Sequence, residues 1–251
     1  MFSKVPEITV FFWVIKLLST AGGEVVADLF AHTNLLGLAG SLAISSVLLL
    51  IALAVQLVLR RYVPIVYWSV IVAVGVAGTL LSDAVVDLLH LPVAAATVLF
   101  LVVLLTIFAV WYATERTLSI HTITTTRREL YYWGAVMATF ALGTAAGDLT
   151  VFALDWNFMP SLALYAAVFV AAAVAHLGFR MNAIVTFWIA YVMTRPLGAT
   201  FADYISLGKD IHGLGLGRVY PSAGFLVVIA VLVLYLQVSR RDTPREGRAD
   251  G

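Results

Sequence analysis

Apolar and polar positions alternate along the chain in long blocks, and eight of the apolar blocks are long enough to cross a lipid bilayer. A helix needs about 20 predominantly apolar residues to span roughly 30 Å of hydrocarbon. Segments of this kind lie near residues 5–28, 35–59, 62–84, 92–114, 129–149, 160–179, 183–204 and 220–238. The pattern predicts an all-α, polytopic membrane protein of eight transmembrane helices.

The eight segments belong to two classes that alternate along the chain. The first, third, fifth and seventh are less hydrophobic and end near an aspartate, whereas the others are almost purely apolar, as in VAAATVLFLVVLLTIFAV. Charged groups are costly in hydrocarbon, so charged residues in such helices should face protein or water. We therefore expect the four polar helices to face one another.

A motif of the form [FY]-W-x9-G-x4-D occurs four times, and four matches in one chain indicate an internal repeat. Its tryptophans are Trp13, Trp68, Trp133 and Trp188; its glycines are Gly23, Gly78, Gly143 and Gly198; its aspartates are Asp28, Asp83, Asp148 and Asp203. Each unit contains two spans, so all four copies have the same orientation. They are predicted to be parallel repeats around a pseudo-fourfold or nested twofold axis along the membrane normal.

The spacing of the motif divides the chain into six parts. These are repeat 1 at 1–60, repeat 2 at 61–116, a cytoplasmic linker at 117–128, repeat 3 at 129–180, repeat 4 at 181–239 and a disordered cytoplasmic tail at 240–251. Lysine and arginine concentrate on the side of the membrane that carries both termini. The positive-inside rule then places both termini in the cytoplasm.

The four copies resemble a known family. The stretches KVPEITVFFWVIKLLSTAGGE, YWSVIVAVGVAGTLLSD, RELYYWGAVMATFALGTAAGD and FWIAYVMTRPLGATFAD are similar to the repeats of bacterial membrane-anchored proteins built from four tandem copies of a two-span "repeat of unknown function". The resemblance covers nearly the whole chain and implies the same architecture. It implies no activity, so function has to be argued from the residues.

One side of each motif helix carries the unusual polar residues. With the tryptophan counted as position 0 and about 100° of rotation per residue, positions 0, 4, 7, 11 and 15 form a single stripe with position 3 at its edge. The stripe holds the motif tryptophans and aspartates together with Lys16, Thr20, Glu24, Gly75, Thr79, Phe140, Thr144, Tyr191 and Arg195. We expect Lys16 to pair with a carboxylate such as Glu24 or with one on a neighbouring repeat, and Arg195 to pair with another.

Each element of the motif also has a structural interpretation. The glycines serve either close helix packing or a hinge, and the tryptophans form either an interfacial belt or part of an inward surface. The aspartates are either solvated helix ends or a ring around a central opening. Because all four occupy the same position, we favour the ring, and acidic rings select cations in channels.

Carboxylates and imidazoles near the outer ends suggest a metal site. Asp28 with His32, and Asp87 with His90, offer the oxygen and nitrogen ligands that suit Mn²⁺, Mg²⁺ or Zn²⁺ better than copper(I). The alternative is that these histidines are ordinary surface residues.

Composition narrows the classes of function. The chain is 62% hydrophobic and 12% charged, and it contains no cysteine, which excludes disulfides, zinc-thiolate sites and thiol catalysis. No hydrolase, phosphate-loop or haem-attachment motif is present, nor is a basic groove for nucleic acid. The sequence predicts no enzyme and no cofactor. The expected partners are the lipid bilayer and a small cation or proton. A bound divalent cation would be a substrate. A homo-oligomer is possible on the sequence alone.

The leading hypothesis is a multi-pass transporter of the bacterial inner membrane that exports a small cation or divalent metal in exchange for protons. Its predicted ion-binding residues are Glu24, Asp28, Asp83, Asp148, Asp203, Thr79 and Thr144, with Lys16 and Arg195 as internal counter-charges. The alternatives are a non-transporting membrane scaffold or sensor with a structural ion-pair network, or a cation channel. A water-accessible path past the aspartates would favour transport, and a dry, fully paired centre would favour the scaffold.

Overall fold

The structure is a computed structural model that describes residues 3–32 and 36–243. This part of the chain forms eight long α-helices and no strand, which confirms the predicted all-α class. The helices are α1 Val10–Ala31, α2 Gly37–Val58, α3 Pro64–Asp83, α4 Val93–Glu115, α5 Thr126–Asp148, α6 Phe158–Leu177, α7 Ala183–Ser206 and α8 Val219–Ser239. Single π-helical turns, Ala84–Leu88 and Leu149–Ala153, follow α3 and α5 directly.

The four motif helices form a closed ring. Helix α1 packs on α3, α3 on α5, α5 on α7, and α7 returns to α1. Each outer helix packs mainly on the motif helix of the next repeat, so that α2 lies on α3, α4 on α5, α6 on α7 and α8 on α1. The same relation therefore occurs four times and closes on itself, as the predicted pseudo-fourfold arrangement requires.

The inner and outer helices differ in burial as their compositions predict. In the most apolar window of α1, α3 and α5, 61–72% of the residues are buried, against 17–28% in α2, α4, α6 and α8. These seven helices are long and apolar enough to span a membrane. Helix α7 is less apolar because it carries Arg195 and Asp203, and its place in the ring surrounds it with protein on both flanks. The chain is a polytopic helical membrane protein.

The motif glycines bring neighbouring helices of the ring into close contact. A Cβ added to Gly23 would lie 2.9 Å from the Cα of Gly75, and one added to Gly78 would lie 2.6 Å from the Cβ of Phe140. In each case position 10 of one repeat meets position 7 of the next. The remaining two contacts are Gly143 with Arg195 and Gly198 with Thr20. Of the two interpretations of the glycines, the structure supports close packing.

An aromatic layer fills the ring near the chain termini. Trp68, Trp133 and Trp188 are buried, and Trp13 is half-buried against Phe169 of α6. The residues before the tryptophans belong to the same layer, and the hydroxyls of Tyr67 and Tyr132 share a hydrogen bond. The four motif tryptophans are therefore packed against protein, three of them fully, and do not form an exposed belt.

The N-terminal segment lies over this end of the ring, here called the terminal face. The backbone N–H of Lys4 donates to the carbonyl of Ile123 in the loop between repeats 2 and 3. Its Nζ donates to Glu129 at 2.7 Å and to the carbonyl of Leu57 at 3.0 Å. Gln56 donates to the second carboxylate oxygen of Glu129 at 3.1 Å. These buried contacts fasten the segment to α2, to α5 and to the loop between repeats 2 and 3.

The start of the predicted tail also belongs to the terminal face. The N–H of Glu7 donates to the backbone carbonyl of Asp242 at 2.9 Å, and the Tyr62 hydroxyl donates to the Asp242 carboxylate. Asp242 is buried. Within the predicted solvated tail, Asp242 is therefore held against the terminal face by its contacts with Tyr62 and Glu7, whereas Arg240, Arg241 and Thr243 are exposed. Residues 244–251 lie outside the described part.

The opposite end of the ring, here called the aspartate face, is bordered by a glycine-rich loop that caps α7. The N–H groups of residues 214–217 donate to the carbonyls of Tyr204, Leu207, Ile205 and Ser206, respectively. Gly215 and Gly217 adopt positive φ angles of 74° and 73°, a conformation that glycine adopts without steric cost. The loop thus satisfies carbonyls that the end of a helix leaves unpaired and holds the last turn of α7, which carries Asp203.

We expect Gly23→Ala to destabilise the ring. Its new methyl group would meet the backbone of Gly75, which cannot move aside as a side chain can, and such overpacking costs about 1–3 kcal/mol. Gly224→Ala in α8 is the matched control, since nothing lies within 4 Å of its added Cβ. Unfolding midpoints in detergent should fall for the first variant only; equal midpoints would contradict the close-packing interpretation.

We also expect stability to depend on pH through Asp242. Burial raises the pKa of this carboxyl above its usual value, so the folded protein binds its proton more tightly than the unfolded chain does. The contribution is fully favourable below about pH 4 and is lost as the pH rises through the raised pKa. Relative to Asp242→Asn, the wild-type unfolding midpoint should therefore decline between pH 4 and pH 7. A constant difference would show that Asp242 does not titrate in this range.

Candidate functional site

Equivalent positions of the four motif helices meet at successive levels inside the ring. Position 3 provides Lys16, Ile71, Val136 and Tyr191; position 7 provides Thr20, Gly75, Phe140 and Arg195; position 11 provides Glu24, Thr79, Thr144 and Ala199. All twelve residues are buried. The stripe therefore faces the interior of the ring.

Arg195 forms the centre of this interior and contacts every repeat. Its Nη1 donates to the carbonyl of Thr20 at 2.7 Å, and its Nε donates to the carbonyl of Phe140 at 3.3 Å. Its Nη2 donates to Glu24 at 2.6 Å and to Thr144 at 2.8 Å, and it also donates to the hydroxyl of Thr79. One guanidinium from repeat 4 thus binds groups from repeats 1, 2 and 3.

Glu24 supplies the negative charge that balances Arg195. Its Oε2 accepts hydrogen bonds from Thr79 at 2.9 Å and from Thr144 at 3.2 Å in addition to the ion pair. Glu24 is 3% exposed and Arg195 is fully buried. A buried pair of this kind is tolerated because charge and hydrogen bonding are satisfied together. The structure thus brings together four predicted residues: Glu24, Thr79, Thr144 and Arg195.

Lys16 lies elsewhere in the interior than the sequence suggested. Its Nζ is fully buried, has no hydrogen-bond partner in the described part of the chain, and lies 4.0 Å from the ring centroid of Phe140 and 4.1 Å from that of Tyr191. The expected pairing of Lys16 with a carboxylate is wrong. Glu24 lies two turns further along the same helix, about 12 Å away by helical rise, and it already binds Arg195.

The four motif aspartates gather at the aspartate face. Asp203 is buried and the other three are half-buried. Asp83, Asp148 and Asp203 are each close enough to Glu24 and Asp28 to interact with them electrostatically. They therefore share one region around the ring axis.

Only one described ion pair reaches this group of acids from outside the motif helices. Arg218, just before α8, donates to Asp28 at 3.0 Å. His32 donates through Nδ1 to the backbone carbonyl of Asp28 at 2.9 Å. With that carboxylate engaged by an arginine, Asp28 is a poor metal ligand.

The predicted metal site is not assembled. Across residues 3–32 and 36–243, no group of three or more histidine, aspartate or glutamate side chains is placed to hold a metal ion. Asp87 and His90 are exposed beyond the ring. The set Asp28, His32, Asp87 and His90 therefore does not converge.

Several residues of the interior were not predicted as site residues. Phe140 and Tyr191 were visible only as large residues at stripe positions, and Arg218 only as a loop charge. Glu129, in the first turn of α5, accepts hydrogen bonds from Lys4 and from Gln56. Gln56 had a clearer signal, because a polar residue inside an otherwise apolar helix marks a protein-facing position in membranes.

Comparison with known proteins supports the repeat architecture. A family model described as "Repeat of Unknown Function (DUF347)" matches four tandem segments, residues 11–62, 66–117, 131–182 and 186–242. No curated protein and no solved structure matches. The comparison therefore identifies the repeat and gives no activity, so function has to be argued from the residues of the ring.

Removing one partner of the central ion pair should cost more than removing both. Glu24→Gln leaves the Arg195 charge buried without a counter-charge, and such losses cost about 3–5 kcal/mol. The double variant Glu24→Gln, Arg195→Met should be more stable than the sum of the single changes predicts. Equilibrium unfolding in mixed micelles measures these differences, and Glu115→Gln, in a partly exposed pair, should cost about 1 kcal/mol or less. Additive effects would contradict a coupled pair.

Proposed function

Because the chain belongs to the Repeat of Unknown Function (DUF347) family, its activity has to come from its own residues, and we propose that it is a proton-coupled transporter of a small cation. We propose no catalytic reaction. The observation that carries the proposal is the excess of negative charge along the ring axis. Five carboxylates lie there, and the described cations near them are Arg195, Lys16 and Arg218.

A polar network that served stability alone would gain nothing from a surplus of carboxylates over cationic side chains. The Arg195–Glu24 pair is balanced, whereas Asp83, Asp148 and Asp203 have no ion-pair partner within the described residues. Like charges held close together repel, and the repulsion falls when a proton or another cation binds among them. The aspartates are therefore proposed to bind protons and the transported cation in turn.

The two ends of the ring differ in a way that suits a carrier. The aromatic layer and the N-terminal segment cover the terminal face, whereas three of the four aspartates are partly exposed at the aspartate face. If the termini are cytoplasmic, as the lysine and arginine distribution predicts, the acids open to the outside. We infer that this conformation is closed on the cytoplasmic side, and that transport requires a second conformation in which the aromatic layer opens.

The scaffold hypothesis is favoured by a different observation. The glycine contacts and the fully bonded Arg195 make the centre of the ring compact. A protein that never opened would keep these contacts throughout. The two hypotheses therefore make different predictions: neutralising an aspartate changes ion flux if the protein is a transporter and has no effect on ion flux if it is a scaffold.

Asp148→Asn should reduce proton-coupled cation flux by at least tenfold while leaving the fold intact, because the amide keeps the size of the side chain but cannot carry the charge that binds cations. The assay is proteoliposomes with an internal pH-sensitive dye, to which a panel of monovalent and divalent cations is added. Asp155→Asn is the matched control, since Asp155 is exposed beyond the ring.

Cation-dependent proton movement in the wild type and in Asp155→Asn, together with its loss in Asp148→Asn, would support transport. If no cation in the panel moves protons through the wild type, or if both variants behave as the wild type does, the transport proposal is overturned and the scaffold is favoured.

A further inference from the structure

We propose that the transported cation is a small organic ammonium ion, whose head binds between the rings of Phe140 and Tyr191 where the Lys16 ammonium group lies in this structure. The inference rests on the proposed function and names its substrate class. On this view Lys16 is a tethered ligand that occupies the site between transport cycles. Displacing it couples cation binding to the release of a proton.

The surroundings of Lys16 Nζ are those of an aromatic cation site. Two ring centroids lie 4.0 and 4.1 Å from it, well within the roughly 6 Å over which the face of a ring attracts a cation. Among residues 3–32 and 36–243, no oxygen accepts a hydrogen bond from Nζ. A site that offers ring faces and no acceptor suits a methylated or alkylated ammonium, which has few N–H groups to satisfy.

The same surroundings disfavour a metal ion. Mg²⁺ and Mn²⁺ require several oxygen ligands, and within the described residues no cluster of acidic or histidine side chains provides them. A divalent ion at the ring pair would lose its hydration without compensation. Between the two cargo classes predicted from the sequence, the interior therefore favours a monovalent cation with an apolar shell.

The space between the two rings holds one cationic group at a time, either the Lys16 ammonium or the cargo. Arg195 Cζ lies 4.8 Å from the Phe140 centroid, so the guanidinium already shares this ring. A cargo cation and a charged Lys16 would occupy the same space beside it. Cargo can bind only when Lys16 has given up its proton to water and withdrawn. One cation bound for one proton released leaves the charge of the interior unchanged.

The groups that set the charge of Lys16 are few. On α7 they are Arg195 and Tyr191. At the levels of positions 3 and 7, α3 and α5 present only apolar side chains and glycine. Helix α2 contains no ionisable residue, and the ionisable residues of α8, Tyr220 and Tyr235, lie near its two ends. On α1 itself the nearest acid is Glu24, which binds Arg195. The pH dependence of cation binding should therefore report on Lys16.

The test uses tetramethylammonium, which keeps its charge at every pH, and the detergent-purified full chain. Isothermal titration in buffers of different ionisation enthalpy should show one proton released per bound cation, and affinity should rise about tenfold per pH unit while Lys16 titrates. Lys16→Met should bind with no proton release and no pH dependence. Lys209→Met, which removes an exposed lysine, should behave as the wild type does.

A second variant tests the aromatic contact itself. Tyr191→Leu removes one ring face and should weaken binding by about tenfold or more. Should Lys16→Met fail to fold, the proton count of the wild type decides alone. The proposal is overturned if the wild type does not bind tetramethylammonium at any pH, binds it without releasing a proton, or binds Mn²⁺ in its place.

These outcomes are separate from those for transport. Ammonium binding with proton release but without flux would support the proposed ammonium site and overturn the proposed transport. Metal flux without ammonium binding would overturn the ammonium site and support transport.

Discussion

The structure depends on one buried guanidinium. The Arg195 side chain hydrogen-bonds groups from the three other repeats, and Glu24 is the charge that makes its burial tolerable. The glycines at position 10 allow neighbouring helices to approach closely enough for these bonds to form. Packing and electrostatics are therefore coupled, since neither the ring nor the ion pair would keep its geometry without the other.

Much of this architecture was predictable because the four repeats obey the same constraint. Tryptophan, glycine and aspartate occupy positions 0, 10 and 15 in every copy, and a pattern of that kind predicts a ring of parallel helices and its inward side. The departures from symmetry were not predictable. Lys16, Glu24 and Arg195 each occur in one repeat only, so the internal repeat says nothing about which of them meet. Their pairing depends on the levels at which side chains from different helices come together.

The partner of Lys16 could not be predicted from the sequence. Its charge predicted a carboxylate partner, yet position 3 of the ring is surrounded by Tyr191, Phe140 and aliphatic side chains. The nearest acid is two turns along its own helix, beyond the reach of a helical side-chain pair. An aromatic partner for a cation leaves no charge pattern in the sequence. The same holds for Asp242, whose buried partner Tyr62 lies 180 residues away, so that composition alone predicted a solvated tail.

The proposed transport requires the compact interior to open to water, and the accessibility of position 11 in repeat 4 measures that opening. The chain contains no cysteine, so Ala199→Cys introduces a single buried thiol at the position of repeat 4 that is equivalent to Glu24 in repeat 1. The measurement is its reaction with a membrane-impermeant thiol reagent applied to either side of sealed vesicles. If the interior opens, the thiol should be labelled from at least one side, and tetramethylammonium should slow the labelling. A thiol that stays unreactive from both sides while the protein remains folded would contradict it.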